Sequence, residues 1–140
     1  AGFTDASPWI GVPRSASQIN VAAQLADDSS VLTYYRALID ARHRIGAATD
    51  GGFTRLDMGD PALFFYLREH EGSSILVATN LSSRALTPSP RGGHEAACAL
   101  PWRLYLANTR GSGVASENAP TPVDPASPMG PWEARVYLIH

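Results

Sequence analysis

The chain has no lysine: all eleven basic residues are arginine. A Schiff base, a lysine general base and a lysine-bearing phosphate loop are therefore excluded within these 140 residues. It has a single cysteine, Cys98, so no internal disulfide can form, and a buried free thiol is the expected state. Charged residues make up 17% of the chain, below the ~25% typical of soluble domains. The net charge of −2 and the lack of any basic run give no electrostatic footprint for nucleic acid. Long hydrophobic runs are missing too, so no membrane partner is expected. The residues from Ala1 onward lack a signal-peptide pattern, from which a cytoplasmic location is expected.

What is present is an apolar fraction of 44%, enough at this length to build one core. The stretch ADDSSVLTYYRALIDARHRIG, from Ala26 to Gly46, reads as an amphipathic helix. Val31, Tyr34, Tyr35, Leu38, Ile39 and Ile45 recur at three- and four-residue intervals and would line one face. Asp27 is the expected N-cap, Arg42, His43 and Arg44 suit the negative end of the dipole, and Gly46 is the expected stop. Such a helix is stabilised mainly by burying its stripe, so something must cover it. Residues 1–25 have no period and read as an ordered loop anchored by Trp9, Ile10, Ile19, Val21 and Leu25.

Beyond the helix the pattern changes to short strands. FTRLDM (53–58), LFFYLR (63–68), SILVATN (74–80), WRLYLAN (102–108) and WEARVYLI (132–139) are separated by Gly, Pro, Asp or Ser clusters. In the last, Trp132, Ala134, Val136 and Leu138 are expected inward and Glu133, Arg135 and Tyr137 outward. Consecutive short strands without intervening helices predict a mainly β fold, an antiparallel sandwich preceded by one α-helix. Residues 87–97 read as a connection, and 109–131, with five prolines, as a long loop.

No site stands out, so no catalytic, cofactor-binding or metal-ligating residue is assigned. A glycosidase needs two carboxyl groups flanking the scissile bond. Asp57 with Asp60, and Glu69 with Glu71, are the close pairs, but both fall where hairpin turns are expected. The run Arg68, Glu69, His70, Glu71 reads as a charged turn rather than a metal site, and His94 beside Glu95 lacks a third ligand at recognisable spacing. No serine lies in a G-x-S-x-G elbow. Trp9, Trp102 and Trp132, with Tyr66 or Tyr105, could stack on sugars, but their placement makes them core residues first.

AGFTDASPWIGV, INVAAQLADDSSVLTYYRALIDAR, ILVATNLSS and WEARVYLI together resemble, in collinear order, the C-terminal end of an α-amylase-type glycoside hydrolase of the α-glucosidase and oligo-1,6-glucosidase branch. The resemblance implies that Ala26 to Gly46 is the last helix of a (β/α)8 barrel and that residues 1–25 lead into it. It places the domain boundary at 46, with 47–140 as a C-terminal β-sandwich. The family's aspartate nucleophile, glutamate acid/base and third aspartate come from earlier barrel strands, and its Asn-His-Asp run is absent from this chain. Two departures stand out. Val12, Pro13, Arg14, Ser15 and Ala16 replace the usual Val-Asn-Pro-Asn-Tyr, and Asp28 replaces the usual Pro after Asp27. The implied role is a non-catalytic, structural piece of a retaining α-glucosidase, with no cofactor of its own. Its expected partner is the barrel of the parent chain, with oligosaccharide met only through that parent, and the helix face is a candidate for self-association. Two alternatives are an independent starch- or glycogen-binding module and a regulatory fragment docking through the bare helix face.

Overall fold

The computed structural model describes residues 5–109 and 123–139. Its first third is helical: a 3-10 turn at Arg14–Ser17, then α1 (Val21–Leu25), α2 (Val31–Arg44) and α3 (Gly46–Thr49). The strands β1 (Gly52–Leu56), β2 (Leu63–His70) and β3 (Ser73–Asn80) follow. A short α4 (Glu95–Cys98) then precedes β4 (Arg103–Ala107) and β5 (Ala134–Ile139). All five strands join one antiparallel sheet in the order β1-β2-β3-β5-β4.

This corrects the expected fold. Instead of one helix ahead of a closed β-sandwich, four α-helices are interspersed with a single five-stranded sheet among the described residues. The physical reason lies in the segments read as connections. Their described residues, with those flanking them, form no second sheet but cover the first. Leu86 and Met129 meet in an isolated antiparallel bridge, and Cys98, Trp102 and Met129 are buried in the core beneath the sheet. Prolines 88, 90, 125, 128 and 131 have no amide to donate to a ladder, so these segments fill volume without pairing as strands.

Residues 5–25 also differ from the loop expected of them, because they contain the 3-10 turn and α1. Asn20 starts α1 by accepting from Ala23 N–H at 2.9 Å. Helix α2 starts later than the acidic pair suggested: its N-cap is Ser30, whose hydroxyl accepts from Thr33 N–H at 3.1 Å. Asp27 instead accepts from the amide and hydroxyl of Ser29, forming the turn ahead of the cap. At the other end α2 stops on Ile45, in extended conformation, and Gly46 opens α3 rather than closing α2.

The β2–β3 hairpin turns on Glu71 and Gly72, whose φ angles of 45° and 82° meet the demand of a two-residue type I′ loop. Between Leu104 and Leu106 the β4–β5 register slips at Tyr105, a bulge in the edge strand. One face of the sheet carries the main core, in which Leu63, Phe65, Leu76 and Tyr137 pack with Met58, Trp102 and Met129. On the other face Ile75 and Leu138 are covered by Ala41, Ile45 and Ala47 from the helical segment.

Strand β5 departs most from its expected pattern. Tyr137, expected outward, is fully buried in the main core, while Leu138 is buried under the helices on the opposite face. Both faces of the strand are covered here, so alternation loses its meaning. Trp132, expected inward, lies ahead of the strand at φ 56° and is 62% exposed. Trp9 is exposed as well, and of the three tryptophans only Trp102, at 2%, belongs to the core. Most of the long loop expected over 109–131, namely 110–122, lies outside the described residues.

Candidate functional site

The carboxylates singled out in the sequence are occupied by turn chemistry. Asp57 Oδ1 accepts from Gly59 N–H at 2.9 Å, and Asp60 Oδ1 accepts from Ala62 N–H at 2.9 Å. Asp60 also faces Arg84 at 3.4 Å. Both shape the β1–β2 loop in the manner of Asx turns. Glu69 is exposed near the end of β2, and Glu71 is exposed in the hairpin turn, 3.9 Å from His70 Nε2. His94 Nδ1 accepts from Asp57 N–H at 2.9 Å, tying the segment before α4 to the end of β1, and Glu95 sits exposed in the first turn of α4. Among the described residues no three His, Cys, Asp or Glu side chains converge as metal ligands.

Cys98 is buried, and burial above all, reinforced by the charges of Asp124 and Glu95, pushes its thiol up to about 11. At neutral pH it is a thiol, not a nucleophilic thiolate. It borders a groove of about 530 Å³, lined also by Glu95, Trp102 and Asp124. Trp102 cannot offer a ring there for stacking, being buried with its indole N–H donating to Ala97 O at 2.7 Å.

Among the described residues, two of the open apolar surfaces lie apart from these turns. The first is the outer face of α2, where Val31 is exposed, Tyr35 is 60% exposed and Ile39 is 53% exposed. The second is the half of the sheet beyond the reach of α3. In the β1–β2 register Phe53 pairs with Arg68 and Arg55 with Tyr66, so these side chains share the face opposite the main core. There the Phe53 and Tyr66 rings lie 5.2 Å apart and those of Phe64 and Tyr66 5.8 Å apart, with the Arg55 guanidinium 5.5 Å over Phe64. Burial pushes the Tyr66 phenol up, against a smaller lowering by Arg68.

Sequence reasoning missed this cluster, although its signal was present: FTRL and LFFYLR each alternate, and pairing them by parity puts Phe53, Arg55, Phe64 and Tyr66 together. It also missed the polar structure that closes the other end of the sheet. Asn80, buried in the core, donates to Arg84 O and Gly130 O and accepts from the Ser82 amide and hydroxyl. Glu133 and Arg135 form an ion pair at 2.7 Å, with Gly130 N–H donating to Glu133 and Arg135 donating to Ser127 and Pro128. Burial alone would push the Glu133 carboxyl up; the hydrogen bonds from Arg135 and Gly130 and the guanidinium charge outweigh it and hold it below the ordinary value of 4.5.

The arrangement thus contains folding chemistry and uncovered apolar surface, and comparison with known proteins gives this pattern a lineage. The α-amylase catalytic-domain family model matches residues 1–51, which end at the threshold of β1. The oligo-1,6-glucosidase of Heyndrickxia coagulans is 32% identical over 139 residues, a match covering 99% of this chain and 22% of that enzyme. The trehalose-6-phosphate hydrolase of Escherichia coli is 38% identical over 138 residues, covering 99% of this chain and 23% of the enzyme. Among solved structures, the trehalose-6-phosphate hydrolase of Bacillus licheniformis superposes with a TM-score of 0.75 at 22% identity, over 98% of this chain and 23% of that one, and shows the same fold. The chain is homologous to the oligo-1,6-glucosidase and trehalose-6-phosphate hydrolase branch of the α-amylase superfamily, and it spans less than a quarter of the length of these relatives.

Proposed function

We propose that this chain is the end of a catalytic barrel followed by the C-terminal domain of an α-glucosidase-type enzyme, and that its work there is structural. In this reading residues 1–46 complete the barrel and 47–140 form the accessory domain packed against it. The nucleophile and acid/base that break an α-glucosidic bond of a short oligosaccharide in such a parent lie on other barrel strands. The observation that carries the reading is the uncovered stripe of α2, which lies within the segment matched by the catalytic-domain family. A stripe of Val31, Tyr35 and Ile39 left in water stabilises nothing, whereas covered by neighbouring barrel elements it would contribute burial energy. The open sheet face with Phe53, Phe64 and Tyr66 supports the same partner.

The test is a chimera in which this chain replaces the matching segment of the Heyndrickxia coagulans oligo-1,6-glucosidase. Activity on isomaltose is expected to persist, and the chain alone is expected to turn over neither isomaltose nor p-nitrophenyl α-glucoside. Turnover by the isolated chain, abolished by substituting Asp57 or Glu69, would overturn the reading.

One observation favours a second reading, a glycogen-binding module. Trp132 is exposed in a left-handed conformation that glycine would hold without strain, its backbone fixed by bonds to Ser82 O and from Asn108 Nδ2. Retardation of the chain in a glycogen-containing gel, relieved by Trp132→Ala, would favour it.

A further inference from the structure

Arg68 lies on β2 and points to the face where the helical segment packs. Its guanidinium makes four hydrogen bonds, all to carbonyl oxygens at the end of α3 and in its junction with β1. Nη1 donates to Ala48 O at 2.6 Å, Nη2 to Gly51 O at 2.7 Å and to Thr49 O at 3.1 Å, and Nε to Gly51 O at 3.2 Å. The Ala48 and Thr49 carbonyls are among those left without partners where α3 ends. A cationic fork against these oxygens both satisfies them and complements the negative end of the helix.

The backbone is correspondingly close. A Cβ at Gly51 would lie 2.5 Å from Ala47 O and 3.1 Å from Glu69 N, so only glycine lets the chain pass between α3 and β2. Ala47 is fully buried at this contact, and Ile45 is buried just ahead of it. The apolar part of the contact is formed by Ala41, Ile45 and Ala47 against Ile75 and Leu138, with Ala48, Val77 and Tyr105 packed around them. Arg68 adds a polar tie of four hydrogen bonds between the helices and the sheet.

We propose that Arg68 is a latch that makes α3, and α2 behind it, rigid with the sheet, so that the α2 stripe and the open sheet face hold a fixed mutual geometry. Resting on the reading that the parent's barrel covers both surfaces, the latch makes them a single preformed docking surface for that barrel. Without it the helices swing free while the sheet stays folded, since none of the four bonds belongs to a strand ladder.

Amide hydrogen exchange, followed residue by residue in the whole chain, tests this with Arg68→Ala and Arg68→Lys. In both variants the Ile45, Ala48 and Asp50 amides, which donate to Ala41 O, Ile45 O and Gly46 O, are expected to exchange at least about tenfold faster, while β3 and β5 keep their protection. Lysine keeps the charge but not the fork, so it should not restore the wild-type rates. Unchanged exchange at these three amides, full rescue by lysine, or an equal rise throughout the sheet would each overturn the latch. Sedimentation of the same samples keeps the two proposals apart. A monomeric wild type that a Tyr35→Glu, Ile39→Glu double substitution strongly destabilises would remove the shared partner, and the expected exchange pattern would still leave the latch standing.

Discussion

On one face of the sheet Phe65, Leu76 and Tyr137 are shut away beneath Trp102, Met129 and Met58, and the polar groups at the rim are held by Asn80 and the Glu133–Arg135 pair. On the other, only the part around Ile75 and Leu138 is covered, and Phe53, Phe64, Tyr66 and Arg55 pack on one another instead of under another element. The closed face uses residues from the C-terminal segments of the chain itself. The open face and the α2 stripe look outward with the composition of an interior. The contrast teaches that one sheet can be closed on one face and leave apolar surface open on the other.

The contrast is broken most severely at its centre. Phe65→Ala would leave a cavity in the closed core and is expected to cost about 3–5 kcal/mol, a large share of the ~5–15 kcal/mol of a typical domain. Phe53→Ala, at a 61% exposed ring, should cost about 1 kcal/mol or less. Urea unfolding of the two variants measures the difference, and equal costs would abolish the distinction between the faces.

The polar rim comes next. Replacing Glu133 by Ala leaves the Arg135 guanidinium buried without its carboxylate, with an expected loss of about 3 kcal/mol in the same assay. The pair also fixes a direction with pH. Because the folded carboxyl is held below its ordinary 4.5, its contribution is fully present above that value and is lost as pH falls through the lower folded value. Melting curves of wild type and Glu133→Gln should therefore converge on acidification below pH 4.5. A gap between them that stays constant with pH would show that the carboxylate charge plays no part.

The smallest effect is expected at Tyr137. Its hydroxyl is buried beside the Arg135 guanidinium without a hydrogen bond of good geometry, and burial pushes the phenol up. Tyr137→Phe removes a polar atom that gains little from its site, so stability should change by about 1 kcal/mol or less in either direction. A loss of several kcal/mol in calorimetry would mean that this hydroxyl anchors the rim.

How much of this was legible depended on whether a segment has one environment or two. Strands β2 and β3 lie within two residues of the runs 63–68 and 74–80, because their alternation reflects one closed and one partly open face. Strand β5 misled, since both faces are covered near its end and an ion pair makes burial tolerable for Glu133 and Arg135, which alternation puts toward water. The rhythm of strands and turns suggests a second sheet, but the proline-rich cover segments share that rhythm and, among the described residues, meet only in the isolated bridge of Leu86 and Met129. The latch was invisible for a different reason. Arg68 sits in a charged run that reads as a solvated turn, and its carbonyl partners lie 17 to 20 residues earlier, where no side chain announces them.

The central claim, that the α2 stripe is an interface awaiting a partner, is tested most directly by sedimentation velocity of the wild type beside a Tyr35→Glu, Ile39→Glu double variant, with melting followed on both. An isolated chain is expected to self-associate through the stripe and the double variant to be monomeric, with the melting of the sheet unchanged. A monomeric wild type that the double substitution strongly destabilises would contradict the account, because it would place Tyr35 and Ile39 in the chain's own core.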